Sequence, residues 1–265
     1  MISAIVIDID PVLFTAGPVS LRWYGVLLSL AIVTAVLLAI REAGRHGITE
    51  DSVVHVVMWA VPSALVGARL FHVVDVWQFY ATYPLQILAI QEGGLAIYGG
   101  LVGGVIGGVV AARRAGLPTL KLMDIAAPSM ILGQAIGRIG CFLNGEHQGA
   151  PTSLPWATSY VNPRSLAPDS LPRHPAQLYE MLYDLALFGL LLLLRRRLRQ
   201  DGLLFTLYAA LYSFGRFWIS ALREDAIFLM GLKEAQVISI AIILFAAPLA
   251  LYLSRRQRGV LGAEP

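Results

Sequence analysis

Charged residues are scarce in this chain of 265 residues, where they make up 14% of the total. Ordinary water-soluble domains carry about a quarter. Hydrophobic residues make up 57%, and the mean hydropathy is +0.69. The shortage of charge excludes an ordinary soluble globular protein, and the abundance of apolar residues excludes a disordered one.

Cysteine is almost absent as well, since Cys141 is the only one. A single thiol cannot form an internal disulfide or a cysteine-rich metal site. The chain also lacks a His-x-x-x-His pair, a Gly-x-Ser-x-Gly elbow and a Gly-x-x-x-x-Gly-Lys phosphate loop. We therefore predict neither a metal nor an organic cofactor. The net charge of +3 is too close to balance to indicate binding of nucleic acid.

The chain is instead rich in apolar runs of about 20 residues, the length that crosses a bilayer as an α-helix. We predict spans at residues 19–40, 53–74, 94–112, 123–143, 176–194, 203–221 and 235–253. Twelve of the 20 arginines and lysines follow the odd-numbered spans, which places the loops after those spans in the cytoplasm. The predicted fold is an all-α polytopic membrane protein with its N-terminus outside and its C-terminus in the cytoplasm. It forms a single domain over residues 1–265, with an extracytoplasmic loop region at residues 144–175.

Arginines occur inside three predicted spans that run outward, namely Arg69, Arg138 and Arg216. A charge inside a span costs about 2.5–3.5 kcal/mol on insertion scales, so such residues are informative. The guanidinium fork suits phosphate oxygens, and the abundant anion of an outer leaflet is a phospholipid. The functional interpretation is therefore an anionic-lipid site in the outer half of the membrane. The structural alternative is that nearby acids neutralise the arginines; these acids are Glu146, Glu180 and Asp184.

Paired glycines recur every four residues along span three, from Gly99 and Gly100 onward. Glycines four residues apart line one helix face and let another helix approach closely in lipid. The pattern predicts a packing face, and the alternative is a close approach of residues 93–100 to a lipid headgroup.

Polar residues also open span five, where residues 174–180 read HPAQLYE. Gln177 and Glu180 share one helix face, and the helix dipole favours Glu180 there; a polar helix start at the interface is the alternative. Cys141 and His147 allow a thiol and a base, although a lone cysteine in an apolar helix is more often a packing residue. No spacing among the histidines and glutamates fixes a metal site.

Five motifs occur in order along the chain: LRWYG at 21–25, GGLAIYGGL at 93–101, GRIGCFLNGE at 137–146 with Gly149, HPAQLYE at 174–180, and YSFGRF at 212–217. Together they resemble the signatures of the bacterial prolipoprotein diacylglyceryl transferases. The resemblance covers the chain from about residue 17 to residue 252, and the decapeptide around Arg138 is its most specific part.

The resemblance implies a seven-span enzyme of the bacterial inner membrane, with its active site toward the outer leaflet. Its partners are phosphatidylglycerol, the lipobox cysteine of a preprolipoprotein signal peptide, and the surrounding membrane lipids. The diacylglyceryl group moves to the cysteine thiol, a thioether forms, and glycerol phosphate leaves. The candidate catalytic residues are Arg138, Arg216, Tyr98 and Glu146. The candidate substrate-binding residues are Tyr24, Asn144, Gly149, Tyr212, Gly99, Gly100, His174, Gln177 and Glu180.

Three positions depart from the family pattern. Some members have histidine where Tyr98 stands, and a tyrosine hydroxyl, whose ordinary pKa is about 10, is a poor base at neutral pH. Glu146 or a phosphate oxygen then remains to accept the thiol proton. Cys141 replaces an asparagine of some members, and Ser220 replaces a glutamate, which leaves the partner of Arg216 open.

Two other functions fit some of these features. A transporter or flippase for an anionic lipid or solute also uses intramembrane arginines and glycine-rich helices, but it needs access from both faces and often contains internal repeats. The two halves of this sequence show no repeat, and its polar motifs cluster on the predicted outer side. A lipid-binding scaffold without catalysis is the third hypothesis.

Overall fold

Helices dominate the structure, a computed structural model that describes residues 4–17, 19–89 and 93–261. The eight α-helices of these residues are α1 Trp23–Gly44, α2 Glu50–Asp75, α3 Trp77–Thr82, α4 Ile97–Arg114, α5 Thr119–Asn144, α6 Ala176–Leu194, α7 Leu203–Ala221 and α8 Glu234–Leu261. Each predicted span falls on a helix of at least 18 residues. Within the described ranges, five of them (α1, α2, α5, α6 and α8) are long and apolar enough to cross a membrane. The mostly helical membrane fold is thus confirmed.

Short strands accompany the helices, and the sequence did not predict them. They are β1 Ile5–Ile7, β2 Val12–Ala16, β3 Val19–Arg22, β4 Thr158–Tyr160, β5 Asp169–Arg173, β6 Ile227–Leu229 and β7 Leu232–Lys233. β4 lies between β1, which is parallel to it, and the antiparallel β5. β2–β3 and β6–β7 form hairpins. The first span consequently begins later than predicted, because residues 19–22 pair with β2 and the helix starts at Trp23.

The chain divides into two compact units, Met1–Ala35 with Met123–Pro265, and Val36–Leu122. In the first unit, α5, α6 and α7 share a hydrophobic core, formed by Ala127, Ile131, Leu187, Leu191, Leu204 and Tyr208. Elsewhere the helices expose large apolar side chains, such as Leu193 and Phe245. Exposed apolar surface on this scale is typical of helices that face lipid.

The second unit is organised around the glycine stripe of α4. A Cβ atom at Gly99 would overlap the carbonyl oxygen of Gly67 in α2, and one at Gly103 would overlap that of Ser63. Only glycine allows the two helix backbones to lie this close. The packing face predicted from the sequence is confirmed.

Arg69 belongs to this second unit and has a structural role. Its guanidinium donates five hydrogen bonds to backbone carbonyls, those of Gln86 (2.5 Å), Ile87 (2.8 Å), Ala89 (3.3 Å), Gly93 (2.6 Å) and Gly94 (2.9 Å). It also lies over the Tyr80 ring, 5.2 Å from the centroid. Arg69 therefore anchors the segment that precedes α4, and it does so through backbone carbonyls, which the sequence did not predict as its partners.

Candidate active site

Three arginines converge on the buried carboxylate of Glu180, one turn into α6. Arg138 Nε of α5 lies 2.5 Å from Glu180 Oε2, and Arg216 of α7 contacts Oε1. Arg223, just beyond α7, lies 3.6 Å from the same Oε1. The packing of α5, α6 and α7 thus brings together residues that are 85 positions apart in sequence.

The ion pairs to Glu180 are made by Nε of Arg138 and by Nη1 of both Arg216 and Arg223, and each guanidinium carries five N–H donors. Asp184, buried one turn later, is close enough to act on the charges of Arg138 and Arg216. Because a guanidinium carries five N–H donors, Arg138 and Arg216 can offer an anion further hydrogen bonds as well as charge.

The end of α5 turns back over its own last turn. Gly145 has a φ of +75°, a conformation that favours glycine, and its N–H donates to the Phe142 carbonyl at 3.3 Å. The N–H of Glu146 donates to the Cys141 carbonyl at 3.2 Å. These two bonds form a Schellman motif. Because of this turn, ligand atoms of Cys141, Glu146 and His147 lie within 4.8 Å of one another.

Hydrogen bonds from three elements hold Glu146 and its neighbour Asn144. Arg22 Nη1, at the end of β3, donates to Asn144 Oδ1 at 3.1 Å, and Asn144 Nδ2 donates to Glu146 Oε1 at 3.3 Å. Gln177 Nε2 of α6 donates to the Glu146 carbonyl at 2.5 Å. Tyr24 packs on this end of α5, where a Cβ atom at Gly140 would lie 3.2 Å from its ring.

Gly149 lies where three segments meet. Its N–H donates to the His174 carbonyl at 2.8 Å, and the N–H of Ala150 donates to the Leu222 carbonyl at 2.7 Å. A Cβ atom at Gly149 would lie 2.6 Å from His174 Cβ, so no larger residue fits there. His174 Nδ1 lies 3.3 Å from the Tyr179 hydroxyl. Gly149 therefore positions the ends of α6 and α7, and its predicted role in binding substrate stays a prediction.

Arg223 is the main site residue that sequence reasoning missed. Its Nη2 lies 3.0 Å from His147 Nδ1, and its guanidinium also pairs with Asp225 at 2.9 Å. Burial, followed by the positive charge of Arg223, lowers the pKa of His147, so the imidazole is neutral near pH 7. The spacing in the sequence could have indicated this role, because Arg223 follows Arg216 by seven residues, which is about two helical turns.

The substitution at Ser220 does not leave Arg216 without a partner, since Glu180 of α6 supplies one. Ser220 is fully buried, and its hydroxyl makes no hydrogen bond within the part of the chain that the structure describes. Lys233 caps the end of α7, donating to the carbonyls of Ser220 (2.9 Å) and Ala221 (3.1 Å). Tyr212, one turn before Arg216, is close enough to interact electrostatically with both Arg216 and Arg138.

The remaining candidates lie in the second unit. Tyr98, Gly99 and Gly100 form the start of α4, and the two glycines face α2. Their roles in catalysis and binding stay predictions.

Known proteins resemble the chain over almost its whole length. The model of the family described as prolipoprotein diacylglyceryl transferase matches residues 11–252. A protein of Geobacillus kaustophilus (strain HTA426), named phosphatidylglycerol–prolipoprotein diacylglyceryl transferase, is 43% identical over 95% of this chain and 94% of its own. The protein of the same name from Clostridioides difficile (strain 630) is 38% identical over 96% of this chain and 100% of its own. The chain belongs to the prolipoprotein diacylglyceryl transferase family.

Proposed function

We propose that this chain transfers the diacylglyceryl group of phosphatidylglycerol to the lipobox cysteine of a preprolipoprotein. The names of its relatives support both substrates. The structural observation that carries the proposal is the sharing of the Glu180 carboxylate by Arg138 and Arg216, which holds two cationic forks side by side. Such a pair suits a lipid phosphodiester, whose two free oxygens accept hydrogen bonds.

The reaction is a substitution at carbon. The substrate thiolate attacks the glyceryl carbon that is bonded to the lipid phosphate, so a C–S bond forms as the C–O bond breaks. The electron pair of the broken bond stays on the phosphate oxygen, and glycerol phosphate leaves. Negative charge therefore accumulates on the departing group, where fixed donors stabilise the transition state.

Arg138 and Arg216 supply those donors. At an effective dielectric constant near 20, one pair of charges at about 4 Å contributes roughly 4 kcal/mol before desolvation. Glu180 sets the direction of both side chains, and Arg223 adds a third guanidinium beside them. A lysine would not replace either arginine, because its point charge lacks the planar fork.

Glu146 is our candidate to accept the thiol proton, with a phosphate oxygen as the alternative. Glu146 lies two residues beyond the end of α5, and the hydrogen bond from Asn144 orients its carboxylate. A base held in this way abstracts a proton without reorganising at the moment of reaction. Tyr98 remains a candidate catalytic residue, and Tyr24, Tyr212, His174 and Gln177 remain candidates for contacts to the substrates.

We further propose seven spans in the inner membrane, with the N-terminus outside, the C-terminus in the cytoplasm and the active site toward the outer leaflet. Seven helices of sufficient length and basic loops after odd-numbered spans support this topology. Single cysteines introduced into a Cys141→Ser background test it. A membrane-impermeant maleimide added to intact cells should label Ser170→Cys but not Ala115→Cys, and the reverse pattern would invert the topology.

Purified protein, phosphatidylglycerol vesicles and a lipobox peptide test the activity. Wild type should convert the peptide to a thioether-linked diacylglyceryl product, and Arg138→Ala and Arg216→Ala should lose at least about a hundredfold in rate. Both variants should fold, because Glu180 keeps two other guanidiniums. Arg164→Ala is the matched control, since that arginine is exposed and pairs with Asp10 at 2.9 Å. Wild-type rates in either site variant would refute the assigned roles.

Membership of a transferase family favours transfer over the transporter hypothesis. Uptake of an anionic lipid or solute into vesicles, with no thioether product, would reverse that preference.

A further inference from the structure

We propose that Cys141, Glu146 and His147 form a binding site for a thiophilic divalent cation such as Zn²⁺, and that its occupation stops transfer. The spacing of these residues in the sequence did not indicate a metal site. They come together through the turn at Gly145. Their ligand atoms, one from each side chain, lie within 4.8 Å of one another. The binding half of the proposal does not depend on the proposed function, whereas the arrest of transfer rests on it.

The chemistry of the three side chains selects the metal. A thiolate sulfur, an imidazole nitrogen and a carboxylate oxygen are the ligands that zinc uses, at about 2.0–2.3 Å. Those bond lengths place tetrahedral ligands about 3.3–3.8 Å apart, so inward shifts of about 1 Å close the site. The sulfur ligand disfavours Mg²⁺ and Ca²⁺, which prefer oxygen. Three protein ligands leave a fourth position for water.

The nearby arginines do not exclude a cation. Zinc binding displaces the thiol proton to solvent, so two positive charges enter and one leaves, and the net change is one charge. Arg138 lies beside the Cys141 thiol, but Glu180 already pairs with that arginine.

Zinc must also displace one existing contact. Neutral imidazole has a single lone pair, and the guanidinium of Arg223 lies 3.0 Å from His147 Nδ1. When zinc takes the lone pair, Arg223 keeps Asp225, at 2.9 Å, as its partner. Zinc binding therefore engages the carboxylate of Glu146, the candidate proton acceptor. It also displaces the guanidinium of Arg223 from the imidazole of His147. Both changes oppose transfer.

Cobalt provides a spectroscopic test of binding that is independent of activity. Because Cys141 is the only cysteine, a sulfur-to-cobalt charge-transfer band in the purified full chain must come from that thiolate. We expect one equivalent of Co²⁺ to produce the band and Zn²⁺ to abolish it. Cys141→Ser should lack the band, and His147→Gln should bind at least about tenfold more weakly. His46→Gln, which removes an imidazole in the α1–α2 loop, is the matched control and should bind as wild type does.

If saturating cobalt produced no charge-transfer band, the proposed site would be wrong. If His147→Gln bound cobalt as tightly as wild type does, the metal would be held by the thiol without the imidazole. Transfer is then measured after loading with zinc and removal of free metal. Wild type should be inhibited at least about tenfold and recover with a chelator, whereas Cys141→Ser should keep its rate. Equal effects of zinc on both proteins would overturn the regulatory half. Failure of metal-free wild type to form the thioether product would instead count against the proposed function, so the two failures are distinguishable.

Discussion

Arg138 and Arg216 bind opposite oxygens of one carboxylate, that of Glu180, although they come from different helices. Neither arginine is locked in a carboxylate pair of its own. The shared carboxylate holds the two guanidiniums close together, and each group has five N–H donors with which it can also bind a phosphate. Variants of this cluster and of residues that stabilise other parts of the fold should have the following effects.

Glu180→Gln should remove the anion that three guanidiniums share. Loss of one partner from a buried ion pair costs about 3–5 kcal/mol, so the variant should unfold at a lower temperature than wild type. Added glycerol phosphate should raise that temperature more in the variant, because the ligand supplies the missing negative charge. Thermal unfolding in detergent measures both effects, with Glu224→Gln, whose carboxylate is half exposed, as the control. If glycerol phosphate raised the unfolding temperature of wild type and of Glu180→Gln by the same amount, the cluster would not be its binding site.

Gly215→Ala should separate α6 from α7. The added methyl group would overlap the Tyr183 ring, and such overpacking typically costs about 1–3 kcal/mol. Transfer should fall with stability, since Arg216 is the next residue. Gly189→Ala is the matched control, because a Cβ atom there meets nothing within 4 Å. A wild-type melting temperature for Gly215→Ala would contradict the packing described.

Arg22→Met should lower kcat and leave the KM for phosphatidylglycerol unchanged. Arg22 acts through Asn144, whose amide it orients toward Glu146. Arg22→Lys keeps one donor and should recover part of the rate. Steady-state kinetics with Arg164→Met as control measures the difference. A raised KM with unchanged kcat would assign Arg22 to lipid binding instead.

Arg69→Met should loosen the segment before α4. Five carbonyls lose their donor, and each buried carbonyl left without one costs about 1–3 kcal/mol. Arg69→Lys should fail to restore stability, because one ammonium cannot reach carbonyls arranged around a planar fork. Hydrogen exchange should rise in residues 84–89 and 93–94 of both variants. Unchanged exchange in Arg69→Lys would show that charge alone suffices.

Asp169→Asn should reduce stability at neutral pH and have less effect in acid. The N–H of Leu171, and then Arg173, lower the pKa of Asp169 below its ordinary value of about 3.9. The folded state therefore favours the ionised carboxylate, and its contribution is present above that ordinary value and lost as pH falls through the lowered one. The difference in melting temperature between wild type and variant should shrink as the pH falls below about 3.9 and through the lowered pKa. A constant difference would exclude this ionisation as the cause.

Local composition was enough to locate the long helices, because about 20 consecutive apolar residues have few alternatives in lipid. The seven short strands escaped prediction, since two to five residues are too few to show an alternating pattern. Arg69 illustrates an intermediate case. Its place inside an apolar span made it conspicuous, but the five carbonyls that it binds are set by the tertiary fold of the segment before α4.

The sequence by itself determined that this is a helical membrane protein of one enzyme family, since hydrophobic length and ordered motifs are local properties. It also singled out Arg138 and Arg216, because a charge in an apolar span is conspicuous wherever the helix lies. Only the tertiary structure decided that they share Glu180, that Arg223 joins them, and that Cys141 meets Glu146 and His147. The first two contacts depend on how helices that are distant in the sequence pack together, which no single segment encodes. The third depends on the turn at Gly145, which the spacing of the three residues did not indicate.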